Sequence, residues 1–462
     1  MYIVLNTIKL ILLISFGLIY LFGLGWIIVS FILAKNLNKK EEEIRLIEGI
    51  PLAIASGLVI NYGIALWFQT LQNSMIVGTI ISLFGISHFA IYAFHKYKTV
   101  SYNQNSWNLW ISVVFINLLF LGPILMFPLK AWDARSIWFF HAKMIFVADS
   151  IGQAAGWQHS SVIFSHPDYP KMLPILAAQI ASVAGFWNGY LPKISLFIIL
   201  VPAQIWLFSF ARRTFSFFIL IMLIPFSFNR LLWNGYMDGF LALYFAITVL
   251  FLGRYLRSFS KIDLLSSMGS LAIVLYLKNE GILAFLAIFS ASALLLISLK
   301  KLNIKKIFTL SNWKQFLVGL LAISPFFTWY FYRKKWGILN DLAIGTPATI
   351  QQFLERLSDG SYRLIFSASY KELEVALLLL GFLFFASAIW STYLPKESYP
   401  TLIAASFYYL GMISIYFLTP HNLSWHIGTS IERTMLPVNA SLYVACYFIL
   451  DSIENENRKQ NL

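Results

Sequence analysis

The stretch LILLISFGLIYLFGLGWIIVSFILA, residues 10–34, contains no charged side chain. A run of about 20 apolar residues is long enough for a helix to cross a bilayer. A second run of this kind occupies residues 282–299. Hydrophobic residues make up 59% of the 462 residues, charged residues only 12%, and the mean hydropathy is +0.73. The sequence therefore predicts an all-α polytopic integral membrane protein, and it argues against a cytosolic enzyme, a secreted disulfide scaffold and a disordered chain.

The charge balance is basic, with 34 Lys and Arg against 20 Asp and Glu and a net charge of +14. These basic residues are scattered between apolar spans and are not gathered on one domain, so no nucleic-acid partner is expected. We expect them to orient the chain and to contact anionic membrane lipid. The single cysteine, Cys446, cannot form an intramolecular disulfide.

The N-terminal apolar run is interpreted as a first transmembrane helix. It is too long for a signal-peptide core, and the polar segment at 35–40 follows it where a cleaved signal would have small residues. Apolar runs of about 20 residues predict about thirteen transmembrane helices along the chain. The predicted spans are 8–33, 51–70, 75–95, 109–128, 193–211, 214–228, 239–256, 264–279, 281–299, 312–332, 373–391, 401–419 and 436–450.

Every second connection between these spans contains Lys or Arg, beginning with residues 35–50. Because cytoplasmic loops carry an excess of these residues, the pattern predicts an external N-terminus and a cytoplasmic tail at 451–462. Three connections, 129–192, 333–372 and 420–435, are then external. They hold five of the seven histidines. Solvated loops are polar in any case, so this enrichment alone does not identify a site.

The first external loop begins Ala-Trp-Asp-Ala-Arg-Ser at 131–136 and continues as an aromatic helix. Asp133 leaves the bilayer beside Arg135, which would keep the carboxylate ionised as a general base. Trp132 and Trp138 would form a wall on which a sugar stacks. The alternative is that Asp133 only caps the following helix.

Further along the loop lies His-Pro-Asp-Tyr-Pro-Lys-Met-Leu-Pro at 166–174, followed by a mostly apolar stretch to Trp187. Treating 172–187 as a juxtamembrane helix keeps the Arg-Arg pair at 212–213 on the cytoplasmic side. Asp168 competes with Asp133 for the role of base, although its flanking prolines indicate a structural turn.

Taken in order, these features resemble the lipid-dependent glycosyltransferases of the GT-C fold, with the pattern of the protein mannosyltransferase and aminoarabinose transferase group. The order is a helix, a loop-opening acid, an aromatic helix, the 166–174 segment, an interfacial helix and a span closing in Ala-Arg-Arg at 211–213. Three later motifs fit as well. They are Tyr-Met-Asp-Gly at 236–239, Leu-Lys-Asn-Glu-Gly at 277–281 and Glu-Arg-Thr-Met-Leu-Pro at 432–437.

The resemblance covers about 109–450, which would form a GT-C-like core that includes the three external loops. Residues 1–108 would be an N-terminal addition of three spans. The chain also departs from the protein mannosyltransferases, which usually carry Asp-Glu where this sequence has Asp133 followed by Ala134.

The resemblance implies a polyprenyl-phosphate sugar as donor. The absence of an Asp-x-Asp motif, of a Gly-rich phosphate loop and of a long cytoplasmic connection argues against a nucleotide sugar. Lys278, Arg433 and Arg230 would bind the phosphate of the lipid-linked donor. Lys278 could instead be a snorkelling lysine, and Arg433 could simply pair with Glu432. The candidate substrate-binding residues are Arg135, Lys143, His166, Asp168, Tyr169, Asp238 and Glu280.

No cofactor is expected, and the loop histidines lack the spacing of a metal site. The sequence thus predicts an inverting glycosyltransferase in a bacterial inner membrane with an outward-facing site, where Asp133 acts on a glycan, lipid or protein acceptor. The first alternative is a polysaccharide polymerase or ligase that uses diphosphate-linked oligosaccharide. The second is a transporter, which would need ionisable residues in mid-span and internal repeats.

Overall fold

The computed structural model describes residues 2–33, 46–97, 105–210, 214–220, 229–298, 313–338, 347–389 and 394–460. Regular structure in these ranges is helical, apart from one isolated antiparallel bridge between Thr70 and Ser150. The described chain is thus of the all-α polytopic type that its composition predicts. Several basic connections behind the predicted orientation, such as 35–45 and 300–306, lie outside the described residues.

Eleven described helices are long and apolar enough to cross a membrane. The predicted span at 264–279 corresponds to a helix of 17 residues, and most of the predicted span at 214–228 lies outside the described residues. The helices are α1 (Tyr2–Leu33), α2 (Leu46–Phe68), α3 (Leu71–Tyr97), α4 (Asn105–Met126), α5 (Phe139–Ala148), α6 (Met172–Ala184), α7 (Ile194–Ser209), α8 (Thr214–Phe218), α9 (Asn229–Trp233), α10 (Asp238–Ser258), α11 (Lys261–Leu277), α12 (Glu280–Ser298), α13 (Trp313–Lys335), α14 (Pro347–Ser358), α15 (Ser361–Ile389), α16 (Tyr399–Leu418), α17 (Leu423–Thr434) and α18 (Leu436–Gln460).

Helices α2, α7 and α10 form the centre of the bundle, and most of their side chains are buried. Helices α3, α4 and α13 lie at the periphery and expose large apolar side chains, which suits a surface in contact with lipid. Helix α2 packs against α7, α11 and α13. The N-terminal spans therefore share one hydrophobic core with the later helices.

Two glycines allow α1 and α2 to approach closely. A Cβ at Gly25 would overlap the backbone of Ala53, and a Cβ at Gly57 would overlap the backbone of Leu21. Small residues at such contacts are typical of helix packing in membranes, where van der Waals contact between helices drives association.

The segment 129–192 is built of short helices. A π-helical turn, Ala134–Trp138, leads into α5, and α6 follows the proline-rich stretch. With 13 residues, α6 rises only about 20 Å, which is too short to span a bilayer. It is the short helix expected between 172 and 187. We call the end of the bundle that carries this segment the loop face.

Buried polar contacts join this segment to the N-terminal helices. Asn61 on α2 exchanges hydrogen bonds of 2.8 and 3.0 Å with Gln179 on α6, and Tyr20 on α1 donates to Asn61 at 2.8 Å. At the turn between α2 and α3, Gln69 O accepts a hydrogen bond from Ile151 N at 2.8 Å. The first two helices thus help to hold the loop segment in place.

Candidate functional site

Five charged side chains from four separate parts of the chain meet at the loop face. Arg433 Nη1 lies 2.6 Å from Asp133 Oδ2 and 3.4 Å from Asp238 Oδ2. The other oxygen of Asp238 lies 3.0 Å from Lys278 Nζ, which lies 2.8 Å from Glu280 Oε1. We call this continuous row the ion chain. All five members are site residues proposed from the sequence, and the fold brings them into direct contact.

Asp133 follows α4 at the start of the π-helical turn. Its backbone is helical, and its side chain makes no capping hydrogen bond. The capping alternative is therefore wrong, since the carboxylate accepts a hydrogen bond from Arg433 instead. Arg135, the cation expected beside this carboxylate, is exposed, and Arg433 is the cation that pairs with it.

Lys278 lies in the tight turn between α11 and α12, with Asp238 on one side and Glu280 on the other. Only 5% of the residue is exposed, so it is not a snorkelling lysine with its ammonium group in water. Burial lowers the pKa of Lys278, but the two carboxylates outweigh this effect and hold that pKa well above its usual range. Lys278 therefore stays a cation at any physiological pH.

Arg433 lies in the last turn of α17, directly before α18. Its Nη2 donates to Thr429 O at 3.1 Å, and its guanidinium lies 4.6 Å from the ring centre of Tyr236. Among the described residues its carboxylate partners are Asp133 and Asp238, so the alternative in which Arg433 simply pairs with Glu432 is wrong. Arg433 is thus oriented from three sides.

The two ends of the ion chain differ from its middle in exposure. The side chains of Asp133, Glu280 and Arg433 are 15%, 19% and 20% exposed, whereas those of Asp238 and Lys278 are 4% and 6% exposed. A ligand at the loop face can therefore reach Asp133 and Arg433 directly. Asp238 bridges the two cations, because each of its oxygens contacts one of them.

Aromatic rings stack beside the ion chain. Tyr169 stacks on His166 at 5.3 Å and on Trp138 at 5.5 Å, and His166 and Trp132 are perpendicular with ring centres 6.2 Å apart. Trp138 is 1% exposed and Trp132 is 48% exposed, so only Trp132 of the expected sugar wall presents a ring to solvent. Tyr169 interacts electrostatically with Lys278, which links the stack to the ion chain.

A second polar cluster lies buried within the 129–192 segment. Lys171 Nζ lies 3.1 Å from His141 Nδ1, and the other ring nitrogen of His141 lies 3.0 Å from Ser165 Oγ. Burial, together with the positive charge of Lys171, lowers the pKa of His141 well below its usual value. Lys171 Nζ also lies over the rings of Trp157 and Trp329. All three polar members are fully buried, so this cluster supports the loop from inside.

The remaining proposed site residues lie outside the ion chain. Arg135, Lys143 and Arg230 are exposed, and Arg230 interacts electrostatically with Tyr236. His159 is exposed and caps the short helix Ser160–Ser165. In the part of the chain that the structure describes, no three His, Cys, Asp or Glu side chains are arranged to hold a metal ion.

Sequence reasoning missed four polar neighbours of the ion chain. Tyr236 and Asn279 stand inside quoted motifs, where their positions next to proposed site residues were a usable signal. Tyr408 and Tyr416 interact electrostatically with Glu280 from α16, and nothing in that apolar span marks them.

No family model, no curated protein and no solved structure matches the chain, so these comparisons do not indicate a family or a function.

Proposed function

We propose that the chain is a membrane glycosyltransferase that moves a sugar from a polyprenyl-phosphate donor to an acceptor at the loop face. The observation that carries this proposal is the ion chain itself. It places an accessible carboxylate, Asp133, next to an arginine, with a buried lysine behind them. A base beside two cations suits a reaction that takes a proton from a hydroxyl and leaves negative charge on a phosphate.

In the proposed reaction Asp133 accepts the proton of the acceptor hydroxyl as its oxygen bonds to the anomeric carbon. The bond between that carbon and the phosphate oxygen breaks, and the electron pair remains on the departing polyprenyl phosphate. Arg433 and Lys278 stabilise this charge. The configuration at the anomeric carbon inverts, because displacement occurs once and from one face.

The charges of the ion chain favour an order of events. Two cations, Lys278 and Arg433, face three carboxylates, so the fully ionised chain carries one net negative charge. A donor phosphate must therefore compete with Asp133 for Arg433. Once Arg433 contacts the phosphate, Asp133 loses its cationic partner and becomes a stronger base, since a nearby opposite charge favours the ionised form.

The loop face is proposed to be the external face of a bacterial inner membrane. Impermeant thiol labelling of intact cells tests this, because the native Cys446 is buried and gives little background. Ser160→Cys at the exposed loop face should react, and Lys396→Cys, exposed at the opposite end of the bundle, should react only after the cells are opened. Protection of Ser160→Cys in intact cells would reverse the orientation.

The donor class is tested with purified protein in lipid nanodiscs and radiolabelled donors. Polyprenyl-phosphate sugar should support transfer, and Asp133→Asn should lower it strongly. Transfer from diphosphate-linked oligosaccharide alone would favour the polymerase or ligase alternative. Solute uptake into proteoliposomes without transfer would favour a transporter.

A further inference from the structure

Asp168, the second acidic candidate of the 129–192 segment, lies behind the ion chain. Its side chain is 2% exposed. A substrate at the accessible end of the ion chain therefore cannot take a proton from it or give one to it. The position of Asp168 therefore suits a role other than proton transfer.

The carboxylate of Asp168 accepts a hydrogen bond from Asn279 Nδ2. Asn279 is the middle residue of the turn 278–280, whose two outer residues both belong to the ion chain. Adjacent side chains of this turn are thus held in two places, Lys278 by Asp238 and Asn279 by Asp168.

The backbone of the turn leaves little freedom for other arrangements. Gly281 N donates to Lys278 O at 2.9 Å, and Ile282 N donates to Asn279 O at 3.0 Å. A Cβ at Gly281 would overlap the carbonyl group of Val274, so α11 and α12 are as close as their backbones permit. The hydrogen bond from Asn279 to Asp168 then ties this turn to the loop segment.

Asp168 is itself anchored by α13. Trp329 Nε1 donates to the backbone oxygen of Asp168 at 3.1 Å, and Arg333 Nη2 lies 3.9 Å from its carboxylate. A series of contacts therefore runs from α13 through Asp168 and Asn279 to the turn that carries Lys278.

We propose that Asp168 and Asn279 are positioning residues, which orient Lys278 toward the donor phosphate without contacting the substrate. This inference rests on the proposed function, because it assigns to Lys278 a phosphate to bind. Residues that support a ligand-binding side chain commonly matter for affinity, as the hydrogen-bond partners of metal-bound histidines do. Here the support reaches Lys278 through the backbone of the turn that Asn279 anchors.

The test measures binding of polyprenyl phosphate, without sugar, to the full chain in nanodiscs. Asn279→Ala should weaken binding about 10-fold, the loss typical when such an orienting partner is removed. In a Lys278→Ala background the same change should have no further effect, because the residue it orients is gone. Asn188→Ala is the control, since Asn188 Oδ1 accepts two backbone hydrogen bonds in the loop segment and the residue lies outside the ion chain.

Exchanging the side chains of Asp168 and Asn279 provides a second test for the case in which a single variant folds poorly. Asn279→Asp places two carboxylates against each other and should weaken binding, and Asp168→Asn combined with it should recover part of the affinity. Unchanged binding by Asn279→Ala, or an equal loss in the Lys278→Ala background, would overturn the positioning role. If Lys278→Ala itself binds polyprenyl phosphate as well as wild type, the proposed function fails at its phosphate site.

Discussion

Each end of the helix bundle holds a cluster of carboxylates around an arginine. At the loop face Arg433 lies between Asp133 and Asp238. At the opposite end Arg254 Nε donates to Asp263 at 2.6 Å. Both arginines pair with carboxylates, but they differ in exposure and in the side chains that cover them.

Exposure separates the two clusters. Asp133 and Arg433 have side chains 15% and 20% exposed, whereas those of Asp263 and Arg254 are 3% and 11% exposed. A ligand can therefore reach the carboxylate and the arginine at the loop face more readily than those at the opposite end.

Further contacts close off Arg254. Its Nη2 lies 3.0 Å from Glu48, a second buried carboxylate. The rings of Phe210 and Phe251 lie 4.5 and 4.9 Å from its guanidinium and cover it. A buried ion pair thus indicates a binding site only where one partner remains accessible.

Asp133→Asn should have the largest effect and most directly tests this contrast between the two ends. General-base loss should lower transfer roughly 10²- to 10⁴-fold, while the melting temperature stays close to that of wild type. Radiolabelled transfer and a thermal-shift measurement on the same preparation give both values. Asp149→Asn, an exposed carboxylate of the same segment, is the control and should transfer normally. Near-wild-type transfer by Asp133→Asn would show that the accessible carboxylate at the loop face is no more functional than the buried ones at the opposite end.

Arg254→Ala should have the opposite profile. Removing one partner of a buried pair costs about 3–5 kcal/mol, because two carboxylates remain buried without their cation. The melting temperature should fall, and transfer per folded molecule should stay unchanged. Arg257→Ala supplies the control, since its side chain is 61% exposed and its contact with Glu397 spans 3.6 Å. A normal melting temperature for Arg254→Ala would show that this cluster is not structural.

Lys278→Ala should weaken binding of polyprenyl phosphate about 10- to 100-fold, the value of one charge-assisted hydrogen bond. The affinity of the wild type should persist up to pH 9, because the pKa of Lys278 is held well above its usual range. Lys278→Arg should retain part of the affinity. Titration with fluorescent lipid phosphate is the measurement, and exposed Lys334→Ala is the control. Wild-type affinity that falls between pH 7 and 9 would contradict the assignment.

The smallest expected effect concerns the pH dependence of the loop segment. The pKa of His141 is lowered in the folded protein, so its contribution to stability is present above the unfolded pKa of about 6.5 and is lost as pH falls below it. The loss should reach at most about 1.4 kcal/mol per pH unit. Melting temperatures at pH 7.5 and 5.5 measure it. His141→Asn should reduce the difference between the two melting temperatures, and exposed His159→Asn should leave it unchanged. An identical pH response in both variants would show that His141 is not the cause.

Many residues of the candidate site were proposed from the sequence. Lys278 stood out because it interrupts apolar sequence at a helix end, and Asp133 because it opens the longest polar loop. Their environments were not predictable. Sequence reasoning assigned Asp133 the neighbouring Arg135 as its partner, whereas the partner is 300 residues away. It also assigned no role to Asn279, although the Asn279 side chain contacts Asp168, which is 111 residues away in the sequence.

The helical, membrane-type character of the chain follows from its residues alone, because hydrophobicity is a local property that sums along each run of residues. The concentration of polar residues in a few connections is likewise visible in the sequence. The packing of the helices settles which acid meets which cation and which of these pairs a ligand can reach. The contacts between different helices need exact register, since a shift of one helical turn, about 5.4 Å, would separate Arg433 from Asp133 and Asp238, and Asp238 from Lys278.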